Sequence, residues 1–412
     1  MTPLRKVLLF SLTLLLPVAA QARSHSNRRP VDFTRYVAIG DGFTAGYSNG
    51  SLIQTHQEQS FPAILARQAG AVDFRQPLVS APGLPGELLL LNINPLDLDG
   101  GQQLGHLLDL TPARPFNNLG IPQATLKLIL NGTLDNYGLF FGRVLRRFGG
   151  TAVDQAVSLN PTFVTVWAGV QDVLRGTAQG EPGQIISGVE EFRQNYRLLL
   201  DRITSAAPTA KIVVGNLPDF TTGALSLTLP RFVIDPATQR PILDADGKPT
   251  PLIGILDGYD IGPLPAGSRV TLGALRRVQQ GEGIPEELRS RFAALPRVGT
   301  PLDDPEVLTP AELGEIRIRT SAFNQVIAEE AARRSIPVAD MTTLFRRFDE
   351  GIDFGGVRVS SRLITGGLIS YDGAYPTGLG YTLVANEFIR TINTAYGSSI
   401  QPASIAQFIS GP

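Results

Sequence analysis

Two apolar patterns alternate along this chain. Short buried-looking runs at Tyr36–Ile39, Phe163–Ala168 and Lys211–Gly215 read as strands. Between them lie helical spacings. In Phe61–Gly70, residues Phe61, Ile64, Leu65 and Gln68 recur along one side, and Gly188–Ala206 keeps its apolar residues on one face. Leu78-Val79-Ser80 is a short candidate strand, and Ala124–Leu130 and Tyr137–Arg147 are candidate helices. Pro82 to Pro115 reads as loop. Thr309-Pro310-Ala311-Glu312 is a helix start, with threonine as N-cap, proline in the first turn and glutamate three residues after the cap. That helix is predicted to run to about Arg334. Ile336–Val338 is the next strand, entering Ala339-Asp340, and Thr382–Thr394 the final helix. Strands alternating with helices predict an α/β protein, a three-layer α/β/α arrangement around a parallel sheet.

From about Thr222 to Pro310 the texture changes to proline, glycine and isolated charges, as in Asp244-Ala-Asp-Gly247 and Pro263–Gly267. This predicts an inserted cap or side element at 222–308 within one domain spanning 33–400, followed by a tail at 401–412. At the other end, Arg5 and Lys6 precede the apolar run Val7 to Leu16, Pro17 ends it, and Ala20-Gln21-Ala22 supplies a small-x-small site. The layout predicts a secretory signal peptide at 1–22, a linker at 23–32 and a secreted or periplasmic protein. A membrane anchor is the alternative, but the run is about half of the roughly 20 residues a span needs.

Charge and composition narrow the chemistry. A net charge of −1 gives no electrostatic case for nucleic acid. With no cysteine there is neither a disulfide nor a lipidated cysteine, so no stable membrane anchor is expected. The three histidines show no metal-ligand spacing, and no metal or cofactor is expected.

Four segments carry candidate chemistry. Gly40-Asp41-Gly42, followed by Thr44-Ala45-Gly46, turns the first strand into a helix start. The others are Asn117–Ala124, Trp167-Ala-Gly-Val-Gln-Asp172 and Asp372-Gly-Ala-Tyr-Pro376. In this order they resemble the conserved blocks of the SGNH/GDSL hydrolases, which have a flavodoxin-like fold. The resemblance implies a serine nucleophile in the first block, with a histidine base and an aspartate three residues before it in the last. It implies an oxyanion hole built from the serine N–H, a glycine N–H of the second block and an asparagine amide of the third. In this chain Gly42 stands at the serine position, Gln123 at the glycine, Gln171 at the asparagine and Tyr375 at the histidine; Asp41 and Asp372 remain. Glycine has no side chain with which to attack an ester, and a tyrosine, with a pKa near 10, is a poor base at neutral pH.

Other candidates have two readings each. Ser48 could be a displaced nucleophile with His56 as its base, or a turn residue beside a solvated histidine. Asp41 and Asp372 could act as an acid–base pair or hold turns together. Trp167 could line a pocket or fill the core, and Phe140, Phe141 and Leu145 could bind lipid or pack a helix. Two function classes follow. One is a degenerate family member that binds a small-molecule ester, lipid or glycan, or a partner, without hydrolysis. The other is an ester or carbohydrate-ester hydrolase using replacement residues. The block substitutions favour the first.

Overall fold

The computed structural model describes residues 31–409 except 94–95, 134–137, 180–181, 222–227 and 257. The expected signal peptide, most of the linker and the first residues of the insertion lie outside the described residues.

Five parallel strands form the central sheet: β1 (Tyr36–Gly40), β2 (Asn118–Gly120), β3 (Phe163–Trp167), β4 (Lys211–Gly215) and β5 (Val338–Ala339), in the order β5-β4-β3-β1-β2. β1 and β3 are buried along their whole length, which is why their sequences are runs rather than alternations. Among the helices that accompany the sheet are α1 (Phe61–Gln68), α2 (Val170–Gln179), α3 (Val189–Ala206), α4 (Pro310–Ala332), α5 (Met341–Glu350) and α6 (Gly378–Tyr396). α1 packs on α6 over one face of the sheet, where the Phe61 and Phe388 rings stack at 4.5 Å. α3 packs on α4 over the other, where Phe192 and Phe323 stack at 4.0 Å. The start of α4 carries the expected capping box. Thr309 Oγ1 accepts from the Glu312 N–H, and Glu312 Oε2 accepts from the Thr309 N–H at 2.7 Å.

Several expectations need correction. Leu78–Ser80 is not a strand; only Val79 pairs, with Leu107, in an isolated bridge. The passage read as loop contains an antiparallel hairpin, Leu88–Ile93 with Leu96–Gly100. Tyr137 lies outside the described residues, and the helix expected after it is only Phe141–Val144 followed by a 3₁₀ turn at Arg146–Phe148. Arg146 has φ +51°, which a continuing helix cannot contain. β2, α2 and α5 add to the elements that the apolar pattern predicts.

Residues 228–308 fold around a small core of their own, including Val233, Leu252, Val270, Ile284 and Leu302. Strands Thr228–Leu229, Arg269–Thr271 and Val307–Leu308 form its sheet. Buried Glu282 is answered by Arg277 and Arg297. This element reaches the hairpin, where Gln279 Nε2 donates to the Leu96 carbonyl at 2.6 Å and Arg276 pairs with Asp99 at 3.4 Å. No helix among the described residues is long and apolar enough to cross a membrane.

Candidate functional site

The carboxyl ends of β1, β2 and β3 deliver Gly42, Gln123 and Gln171 to one edge of the sheet, the usual place for a ligand in an open α/β fold. Asp372 and Tyr375 join them from the turn that precedes α6. Asp41 caps the short helix Gly42–Ala45. Its Oδ1 accepts from the Phe43 N–H and its Oδ2 from the Gln171 N–H, both at 3.0 Å, so one carboxyl joins the ends of two strands. Asp41 is fully buried. Burial pushes its pKa up to about 7, while those two N–H groups act the other way.

Gly42 is tightly enclosed. A Cβ there would lie 2.7 Å from both Cε1 and the hydroxyl oxygen of Tyr375. The tyrosine ring therefore occupies the space that a side chain at position 42 would take. Its hydroxyl donates to Gln171 Oε1 at 3.1 Å, and its ring packs against Phe43 at 4.6 Å and Tyr47 at 4.9 Å. Burial, reinforced by nearby Asp41, drives the Tyr375 pKa well above the ordinary phenol value, so it stays protonated.

Asp372 is engaged with backbone. Oδ1 accepts from the Ala374 and Tyr375 N–H groups at 2.9 Å, and Oδ2 from the Gly50 N–H at 2.8 Å. It clamps its own turn to the loop after Ser48 and makes no hydrogen bond to Asp41. Burial raises its pKa, opposed by these N–H donors.

The remaining candidates separate from the cavity. Ser48 is buried, and its hydroxyl donates to the Pro376 carbonyl at 3.0 Å. His56 sits 3.2 Å from Glu87 and makes no hydrogen bond to the Ser48 hydroxyl. Burial lowers the His56 pKa, an effect partly offset by Glu87. Trp167 lines neither of the two cavities described below. It is fully buried, donates to the Asn216 carbonyl at 3.0 Å and packs edge-on against Phe61 at 5.7 Å. Asp41 and Ser48 are likewise buried and line neither of those cavities. Leu145, Phe140 and Phe141 are all buried in the core, and Phe140 and Phe141 also border a cavity.

Two cavities meet at Gln123, Gln171 and Ala178. One, of about 520 Å³, lies between Tyr375 and the inserted element, which contributes Leu272 and Arg276. The other, of about 670 Å³, is walled by Phe140, Phe141, Leu128 and Pro122, with Arg175 beside it. Gln123 has φ +64°, the left-handed region glycine adopts freely, so the backbone keeps a glycine-like shape under a larger residue.

Sequence reasoning missed two residues here. Asp172 is fully buried and accepts from the Leu126 N–H at 2.7 Å, tying α2 to the helix Leu126–Asn131; burial pushes its pKa up to about 7. Arg175 belongs to no motif, although Gln171, Leu174, Arg175 and Ala178 recur at helical spacing starting within the third block. Among the described residues no group of three or more His, Cys, Asp or Glu could hold a metal ion.

The profile of the GDSL-like lipase/acylhydrolase family matches residues 36–388, from the first strand into the last long helix. The chain belongs to this family. No curated protein sequence matches it significantly. Among solved structures it is similar to a lipase/acylhydrolase from Enterococcus faecalis, with 13% identity over 90% of this chain and 98% of that one and a TM-score of 0.35. It is also similar to an acetyl xylan esterase from Geobacillus stearothermophilus, with 12% identity over 89% of this chain and 96% of that one and a TM-score of 0.38. A third similar structure is an extracellular lipase from Streptomyces rimosus, with 13% identity over 87% of this chain and 98% of that one and a TM-score of 0.34. The family assignment rests on the sequence profile and the five-stranded parallel sheet, not on these distant likenesses.

Proposed function

We propose that this GDSL-family protein binds a small-molecule ligand at the sheet edge without hydrolysing it, and that it acts after export with residues 1–22 removed. The observation that carries the reading is the Tyr375 ring in the space of a side chain at position 42. A serine mechanism needs a hydroxyl there and a base within hydrogen-bond reach. Position 42 has no hydroxyl, Tyr375 stays protonated, and Asp372 is held by three backbone N–H groups. The alternative nucleophile, Ser48, donates to a carbonyl and makes no hydrogen bond to a histidine side chain. The cavities beside this filled corner, at 520 and 670 Å³, are of ligand-binding size.

The test is turnover of a short-chain aryl ester by the purified protein. Hydrolysis at the rate of a buffer control is expected. Robust hydrolysis abolished by Ser48→Ala would identify a relocated nucleophile and sink the proposal.

A further inference from the structure

We propose that the hairpin formed by Leu88–Ile93 and Leu96–Gly100 is a flap over the smaller cavity, pivoting on a fixed base and latched to the inserted element by Gln279 and Arg276. This goes beyond the reading above, because a ligand must enter whether or not it is hydrolysed.

The register gives the hairpin an apolar inner face. Leu90 lies opposite Leu98, and Leu88 is two residues from Leu90, so the three share one side. Leu88 and Leu98 line the cavity of about 520 Å³, and Leu272 and Leu275 line it from the inserted element. The cavity thus lies between the hairpin and the insertion. Leu89 and Asp99, opposite each other, fall on the other side and are exposed.

The two ends of the hairpin are held unequally. At the base, the Leu88 N–H donates to the Asn49 carbonyl at 2.8 Å. The Glu87 carboxylate accepts from Asn49 Nδ2 at 2.7 Å and lies 3.2 Å from His56 Nε2. Gly86 and Gly101 cross there so closely that a Cβ at Gly86 would lie 2.2 Å from the Gly101 carbonyl oxygen. The polar links to the inserted element are weaker. They are the Gln279 hydrogen bond to the Leu96 carbonyl and the Arg276–Asp99 pair, in which the side chains are 73% and 57% exposed. Water competes for such a pair, and it contributes little. No described residue of the hairpin is buried, and none belongs to either hydrophobic core. A two-stranded hairpin on its own is marginally stable, and lids are drawn from such weakly held elements. The base is therefore the pivot and the seam with the insertion the latch.

The experiment uses thiol accessibility. The chain contains no cysteine, so one introduced thiol reports one place. Leu174 and Ala374 are buried and line this cavity but not the larger one. A bulky fluorescent maleimide is expected to label Leu174→Cys and, separately, Ala374→Cys slowly in the purified protein. Asp99→Ala combined with Gln279→Ala removes the latch at two residues that do not line the cavity. Both labelling rates should then rise roughly five- to tenfold, the size expected from losing one exposed ion pair and one neutral hydrogen bond. Leu128→Cys, in the larger cavity, should label at the same rate with and without the latch. Equal rates at Leu174→Cys and Ala374→Cys with and without the latch would make the hairpin a fixed wall and overturn the inference. An equal rise at Leu128→Cys would overturn it too, as a general loosening of the fold. So would labelling of Leu174→Cys as fast as an exposed thiol while the latch is intact, since the cavity then needs no opening. Labelling involves no turnover, so the result stands apart from the ester-hydrolysis test.

Discussion

The corner around Gly42 and the cavity across Gln171 share a border but differ in how their polar groups are used. At the corner, the carboxyls of Asp41 and Asp372, the hydroxyl of Tyr375 and the hydroxyl of Ser48 each have an internal partner. A ring fills the remaining space. In the cavity, Gln123 holds a left-handed backbone and Arg175 stands without a partner among the described residues. A reactive centre needs groups left poised toward a substrate, whereas here the poised groups lie beside the family's reactive positions. On the proposed reading, the same frame of strand ends keeps a place for a ligand while the Tyr375 ring fills the space beside Gly42.

The largest expected effect comes from reopening the corner. Gly42→Ser should destabilise the fold by about 1–3 kcal/mol, because the new Cβ meets the Tyr375 ring and an overpacked core must shift. Adding Tyr375→His, with its smaller ring, should recover most of that loss in urea unfolding. The same pair should give some ester hydrolysis if the frame is preserved, and Gln171→Asn should raise it by shortening the amide donor. A fully stable Gly42→Ser single variant would mean that the corner is looser than its contacts imply.

A middle-sized effect concerns pH. Asp41 has an ordinary pKa of 3.8 that burial pushes up to about 7 in the fold. The folded state therefore holds the proton more tightly than the unfolded chain. Stability from this group is fully present below the ordinary value and is lost as pH rises through about 7, at about 1.4 kcal/mol for each tenfold difference in proton affinity. Urea midpoints should fall between pH 5 and pH 8. The fall should be smaller in Asp41→Asn but should not vanish, because Asp172 is displaced in the same direction. An identical fall in both proteins would remove Asp41 from the explanation.

The smallest effect belongs to the cavity side. Gln123→Gly relieves a left-handed backbone conformation that costs a non-glycine residue roughly 1 kcal/mol, and it adds chain entropy to the unfolded state. The net change in thermal midpoint should be close to zero or slightly positive. A large loss of stability would show that the Gln123 side chain supports the fold.

Much of the frame was legible in the sequence because β1 and β3 are buried along their whole length, and β4 from Ile212 onward, and so appear as apolar runs. The α4 start was legible because its capping chemistry is local. β2 escapes a reading of the pattern because three residues, Asn118-Leu-Gly120, are too few to show a period. The contact between Tyr375 and Gly42 was not legible, since the two are far apart in sequence and only the fold sets one ring against one missing side chain. Ser48 reads equally well as nucleophile or turn residue in the sequence, and its hydrogen bond to the Pro376 carbonyl decides between them. Arg175 is visible in principle from the helical spacing of its neighbours, but that it lacks a partner is a property of the folded surface.

The most direct test of the closed corner is labelling with an alkyl fluorophosphonate, which forms a covalent adduct with an activated serine. The purified protein should keep its unmodified intact mass, while the Gly42→Ser, Tyr375→His variant should gain one adduct at residue 42. An adduct on the wild-type protein, mapped to Ser48 and lost in Ser48→Ala, would contradict the account.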